Sequence, residues 1–107
     1  MEIINLTGHD VIVKSKNGDI TIPSSGMLRA NYTTNTLYEL PTIYGRIPIT
    51  QNIYHRIRKM PESKPNTYYL VSRIVAEIYP ERDDLLITNG LIKEKGIAIA
   101  CRSLGKI

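Results

Sequence analysis

Only one stretch of this chain has the period of a helix, and a proline stops it after two turns. Val71, Ile74, Val75 and Ile78 recur at i, i+3, i+4 and i+7, the apolar stripe of an amphipathic helix laid on a core. Ser72 supplies an N-cap, and Pro80 ends the helix because it brings no N–H and clashes with the preceding turn. The spacing predicts a helix over residues 72–79 packed through those four side chains. Truncating Ile74 to Ala should then cost ~2–5 kcal/mol. With so little helix, the rest of the chain has to fold as strands and turns.

The remaining patterns agree. Residues 10–15 and 19–23 flank Lys16-Asn17-Gly18, and Asn-Gly between apolar runs signals a hairpin because both turn positions favour positive φ. Pro23-Ser24-Ser25-Gly26 reads as a loop, with short strands over 27–33 and 36–40. From Arg46 the alternation is long. Ile47, Ile49, Ile53 and Ile57 point one way, and Arg46, Tyr54, Arg56 and Arg58 the other. After a loop over 60–66 and the helix, a second hairpin-like unit follows: Leu85 to Thr88, Asn89-Gly90, Leu91-Ile92, a turn at Lys93-Glu94-Lys95-Gly96, then Ile97 to Arg102. No internal repeat interrupts this order. The expected fold is a single α+β domain over 1–107, mostly antiparallel β in a curved sheet or partial barrel, with one short amphipathic helix.

Composition narrows the function classes. The chain has 107 residues with no Phe and no Trp, so its seven tyrosines are the only aromatic side chains. The core is expected to be built mainly from Ile, Leu and Val, with some tyrosines free to face ligands. Cys101 is the single cysteine, and it lies in an apolar strand pattern where a buried, inert thiol is the expected state. No run approaches ~20 apolar residues, and Met1-Glu2-Ile3-Ile4-Asn5 does not begin a signal peptide, so a cytosolic protein without a membrane partner is expected. The formal net charge is +4. Residues 1–50 cancel, so the excess lies in 51–107. It suits an anionic ligand but is too small to imply nucleic-acid binding by itself.

Motifs for chemistry are sparse. There is no phosphate-binding or dinucleotide glycine fingerprint, no metal-ligand spacing among two histidines and one cysteine, and no Gly-x-Ser-x-Gly. No cofactor, no metal and no catalysis are expected. A hydrolase would have to combine His9 with Glu81, Asp83 or Asp84, and acids just past a helix stop more often form a solvated turn. Tyr54, Arg56 and Arg58, followed by Lys59, are a secondary candidate site. Guanidinium groups fit phosphate and a tyrosine ring stacks on a base, as single-stranded nucleic acid requires, although an exposed, solubilising strand face is the simpler explanation. His55 falls on the isoleucine face, where a hydrogen-bonded core histidine is expected. Among the other arginines, Arg73 has Glu77 four residues on, an (i, i+4) surface pair. Arg82 is free either to pair with Asp83 and Asp84 or to be held by them toward a ligand. Arg102 alternates with Ala98 and Ala100, which leave room beside it.

Four motifs, in this order, resemble a family of small, largely uncharacterised phage and prophage proteins. They are Asn5-Leu6-Thr7-Gly8-His9, the helix from Leu70 to Ala76, Pro80-Glu81-Arg82-Asp83-Asp84-Leu85, and the strand from Gly96 through Cys101-Arg102-Ser103-Leu104. The most visible departure is Gly8, where the family has proline, which loosens the turn before His9. The resemblance implies a phage accessory protein acting in the host cytoplasm. A small, mildly basic, non-catalytic protein of that kind fits an anti-defence sponge that sequesters a nucleotide-derived immune second messenger, such as a cyclic ADP-ribose derivative or a cyclic oligonucleotide. Such a sponge is expected to be a homo-oligomer that encloses an anionic, nucleotide-like small molecule. Arg82, Arg102 and Arg73 would meet phosphates, Asp84 or Asn89 the hydroxyls, with His9 nearby. The alternatives are a protein-binding inhibitor of a host enzyme and a single-stranded nucleic-acid binder using Tyr54 to Lys59.

Overall fold

The computed structural model describes residues 1–107. Its elements are β1 (Glu2–Asn5), β2 (Val11–Ser15), β3 (Gly18–Ile22), β4 (Asn31–Thr42), β5 (Gly45–His55), β6 (Thr67–Leu70), α1 (Arg73–Ile78), β7 (Leu85–Glu94) and β8 (Ile97–Gly105). Six strands make one sheet in the order β1-β6-β7-β8-β2-β3, and β4 and β5 make a separate two-stranded ribbon. The expected α+β fold is therefore present: a curled, mixed half-barrel whose longest pairings are antiparallel, with one short helix. Three pairings within the sheet are parallel: β1 with β6, β6 with β7, and β2 with β8.

The sheet curls until its two edges nearly meet. Past β3, Ser24 bridges Asn5 and Met27 bridges Thr7, so the segment after β3 runs beside the continuation of β1. Two apolar layers result. Val11, Leu70 and Cys101 form one small cluster with Val13, Ile22, Leu86 and Leu104 around it. Tyr69, Val71, Val75, Ala76, Tyr79, Leu85 and Ile87 form the larger one, where the helix and the segment after β5 pack on the sheet. Two tyrosines share the core with the aliphatic side chains. Tyr69 and Tyr79 are buried, and each hydroxyl ties down the connection from β5 to β6. The Tyr79 hydroxyl accepts from the Ile57 N–H at 2.6 Å, and the Tyr69 hydroxyl donates to the Glu62 carbonyl at 3.0 Å. A chain without Phe or Trp fills its core with the aromatic it has and satisfies the polar end locally.

The helix matches the sequence, with one correction. Ser72 caps it, its hydroxyl accepting from the Val75 N–H, and Tyr79 closes it just before Pro80. The buried stripe is Val71, Val75, Ala76 and Tyr79, while Ile74 is 41% exposed and Ile78 half-buried. The helix is rolled so that Ile74 lies on its flank, beside the base of the β4–β5 ribbon. Truncating Ile74 should therefore cost well below the amount a core isoleucine would.

Turn geometry departs from the sequence reading in three places. The β2–β3 loop is Lys16-Asn17, with Ser15 paired to Gly18, and the positive φ falls on Gly18 alone. Asn89-Gly90 is not a break, since β7 runs through it to Glu94 and turns at Lys95-Gly96, both with positive φ. The short strands expected over 27–33 and 36–40 are one twelve-residue strand, β4, hairpinned onto β5 by Ile43-Tyr44. The isoleucine alternation in β5 holds for Ile47, Ile49 and Ile53. The strand stops at His55, so Ile57, Arg56 and Arg58 lie outside it. His55 is exposed and shares a 3.1 Å hydrogen bond with the Thr33 hydroxyl, and so is no core histidine.

Candidate functional site

The motif at residues 5–9 works first as a clasp. Asn5 is fully buried. Its amide nitrogen donates to the carbonyls of His9 and Ile22, both at 2.9 Å. Its amide oxygen accepts from the Thr7 N–H at 3.0 Å and the Thr7 hydroxyl at 2.6 Å. One side chain thus fastens the β1–β2 turn to the end of β3, where the barrel edges meet. Gly8 belongs to the same clasp. Its φ is +91°, its N–H donates to the Gly26 carbonyl, and a Cβ there would come within 2.9 Å of the Met27 sulfur. Proline at this position would suit none of these conditions.

The clasp carries His9 to the rim of a groove of about 400 Å³. Thr7 and His9 form one side, Ser72 and Arg73 at the start of α1 another, and Thr88, Asn89 and Gly90 of β7 the floor. Three of the six primary candidates, His9, Arg73 and Asn89, therefore come together. The Arg73 guanidinium donates to Glu77 at 3.0 Å in a solvent-exposed pair, the kind of contact that contributes little and is readily exchanged. His9, Thr88 and Leu91 also border a second hollow of about 240 Å³, whose wall is Asp10 and the mainly apolar Val11, Ile12, Ala98, Ile99, Ala100 and Cys101. The two hollows form one trough, polar at the Arg73 end and apolar at the Cys101 end. Ala98 and Ala100 do leave room, but the space opens beside Cys101.

Arg102 lines neither hollow. Its stem crosses Gly90, where an added Cβ would sit 3.1 Å from the Arg102 Cβ. Gly90, with its φ of +65°, both bends β7 and accommodates this arginine. Arg102 is exposed next to the groove floor, separated from the groove by Gly90.

Arg82 and Asp84 lie at the other end of the helix, committed to each other. Arg82 donates to both Asp84 carboxylate oxygens at 2.7 and 2.8 Å, and to the Pro61 carbonyl at 2.9 Å. Ser63 donates to the same carboxylate at 2.9 Å. The pair is largely buried. The Arg82 hydrogen bonds hold the Asp84 carboxyl below the usual aspartate range against the opposing effect of burial, with Ser63 assisting. These contacts pin the 60–66 loop to the turn after α1. The hollow that Arg82 lines together with Pro80 and Asp83 is about 50 Å³, room for little more than water. Arg82 and Asp84 are thus a folding pair, and the expected cluster of Arg82, Arg102 and Arg73 does not form.

The secondary candidates also separate. Tyr54 packs against Tyr32 across the base of the ribbon, ring centroids 5.4 Å apart. Arg56 is ion-paired with Glu81 and lies over the Tyr79 ring at 4.6 Å. That pair holds the Glu81 carboxyl below its usual range. Arg58 is exposed in the turn that follows. No continuous tyrosine–arginine strand face results. Among possible nucleophiles, burial pushes the Cys101 thiol up, and its sulfur contacts the Ile12 carbonyl, so it stays a protonated thiol. Sequence reasoning missed Asn5, Thr7, Ser72 and Thr88. Asn5, Thr7 and Ser72 lay in recognised motifs and Thr88 in none, and nothing in their spacing joined them to a groove on β7. Set against known proteins, the chain matches no family model, no curated protein and no solved structure.

Proposed function

We propose that the trough binds an anionic, nucleotide-derived small molecule and releases it unchanged, so that the protein acts as a sponge for an immune second messenger in a phage-infected host. One observation carries this reading: Arg73, His9 and Asn89 meet at the polar end of a trough whose other end is apolar. Arg73 would exchange its exposed Glu77 pair for a phosphate, a stronger charge-assisted partner. Asn89, Thr7 and Thr88 would address ribose hydroxyls, and the Val11–Leu91–Ile99 wall would receive a base. The size lies within the ~300–1,000 Å³ range of small-ligand sites. Isothermal titration against a panel of cyclic nucleotides and cyclic ADP-ribose derivatives tests the idea, followed by heating and analysis of what is released. The expected result is intact ligand, with Arg73→Ala weakening binding by ~1.5–3 kcal/mol. No binding by any member, or recovery of cleaved nucleotide, overturns it.

The alternative of a protein-binding inhibitor is favoured by a different observation, the exposed apolar residues along the β4–β5 ribbon. A host enzyme retained by the wild-type protein and lost on substitutions in the ribbon would support it over the trough.

A further inference from the structure

We propose that the β4–β5 ribbon is a self-association arm, covered by a second copy of this chain through one of its two faces. β4 and β5 pair with each other at eleven positions and with no other strand. A two-stranded ribbon left alone in water is marginally stable, because one hairpin cannot bury enough apolar surface.

The pairing register sorts the side chains, since directly opposed residues in an antiparallel pair share a face. One face is polar beyond its base, where Tyr32 meets Tyr54: Thr34 lies opposite Asn52 and Thr36 opposite Thr50, and near the tip Arg46 and Glu39 form an ion pair at 2.9 Å beside Pro41 and Pro48. On the other, Tyr38 lies opposite Ile49 and Leu40 opposite Ile47. The register shift between Thr36 and Tyr38 creates this second face. Without it, Tyr38 and Leu40 would fall on the polar side. The tip adds Ile43 and Tyr44, which are 91% and 88% exposed.

Three arguments favour a second copy over a foreign partner. The first is charge: in a chain of net charge +4, residues 31–55 carry only Glu39 and Arg46, which neutralise each other. A surface selected for a charged partner carries complementary charge. In a two-fold interface residues meet their own equivalents, so a neutral apolar face suits it. The second is size: Tyr38, Leu40, Ile43, Tyr44 and Ile47 form an exposed apolar patch at the distal face and tip, of the kind that lies at the centre of a standard interface of ~800 Å² per partner. The third concerns mode. Pro41 and Pro48 remove a backbone donor from each strand, which disfavours extension by strand addition and leaves the side-chain face as the contact.

Sedimentation velocity of the full-length chain over a range of concentrations tests this, independently of any ligand in the trough. The wild type should self-associate. Leu40→Asp combined with Ile47→Asp should raise the dissociation constant at least a hundredfold, while Thr36→Asp on the polar face leaves it unchanged. Hydrogen exchange on the wild type needs no variant: protection of the β4 and β5 amides should increase with protein concentration. A wild type that stays monomeric throughout, an oligomer that survives the double substitution, or arm amides insensitive to concentration each overturns the proposal. A monomer that instead holds a host protein through the arm also overturns it.

Discussion

Asn5 shows how one side chain can decide where a sheet closes. All four of its hydrogen-bonding partners lie in segments that would otherwise separate: the β1–β2 turn and the end of β3. Asn5→Ala removes all four hydrogen bonds from this seam and should lower stability by ~1–3 kcal/mol in chemical denaturation. An effect below about 1 kcal/mol would mean that the clasp is dispensable. Asp84 makes a comparable tie at the other end of the helix. Its carboxyl is depressed by Arg82 in the folded state, so the stabilisation is full above the unfolded aspartate value of ~3.9 and is lost as pH falls through the lower folded value. Asp84→Asn should cost ~2–3 kcal/mol at neutral pH and flatten the acid limb of the stability–pH curve. An unchanged acid limb would assign that limb to other carboxylates.

At the scale of elements, the helix separates what periodicity shows from what packing decides. The i, i+3, i+4, i+7 spacing, the Ser72 cap and the Pro80 stop were all legible because each acts within a few residues of chain. The roll of the helix on the sheet was not, since four apolar positions define an arc and Tyr79 also competes for the core. Thermal or urea unfolding can separate the two readings. Val75→Ala should cost ~1.5–3 kcal/mol and Ile74→Ala less than about 1 kcal/mol, and equal costs would put Ile74 back in the core. The hairpins give the same lesson. Lys16-Asn17-Gly18 and Lys95-Gly96 were readable as turns, whereas Ile43-Tyr44 was not, because two apolar residues with no adjacent Asn or Pro carry little turn signal. Missing that one turn hid the longest hairpin in the molecule.

The whole molecule is elongated, 56 × 36 × 20 Å, because a curled body carries an arm. The arm shares no strand pairing with the body. Replacing residues 34–52 with a two-residue turn should therefore leave the helix and the six-stranded sheet folded, with unchanged tertiary signals from Tyr69 and Tyr79 in near-ultraviolet circular dichroism. Loss of those signals would make the arm part of the body's fold. No helix is long and apolar enough to cross a membrane. By itself the sequence determined the class of fold, the position and both ends of the helix, two hairpins and an inert Cys101, since each follows from period, local capping or composition. Only the tertiary structure decided that Arg82 is spent on Asp84, that Arg73, His9 and Asn89 share a groove, and that β4 and β5 stand apart. Those outcomes depend on the curl of the sheet and the order of its strands, which bring together residues dozens of positions apart, and no local pattern records that distance.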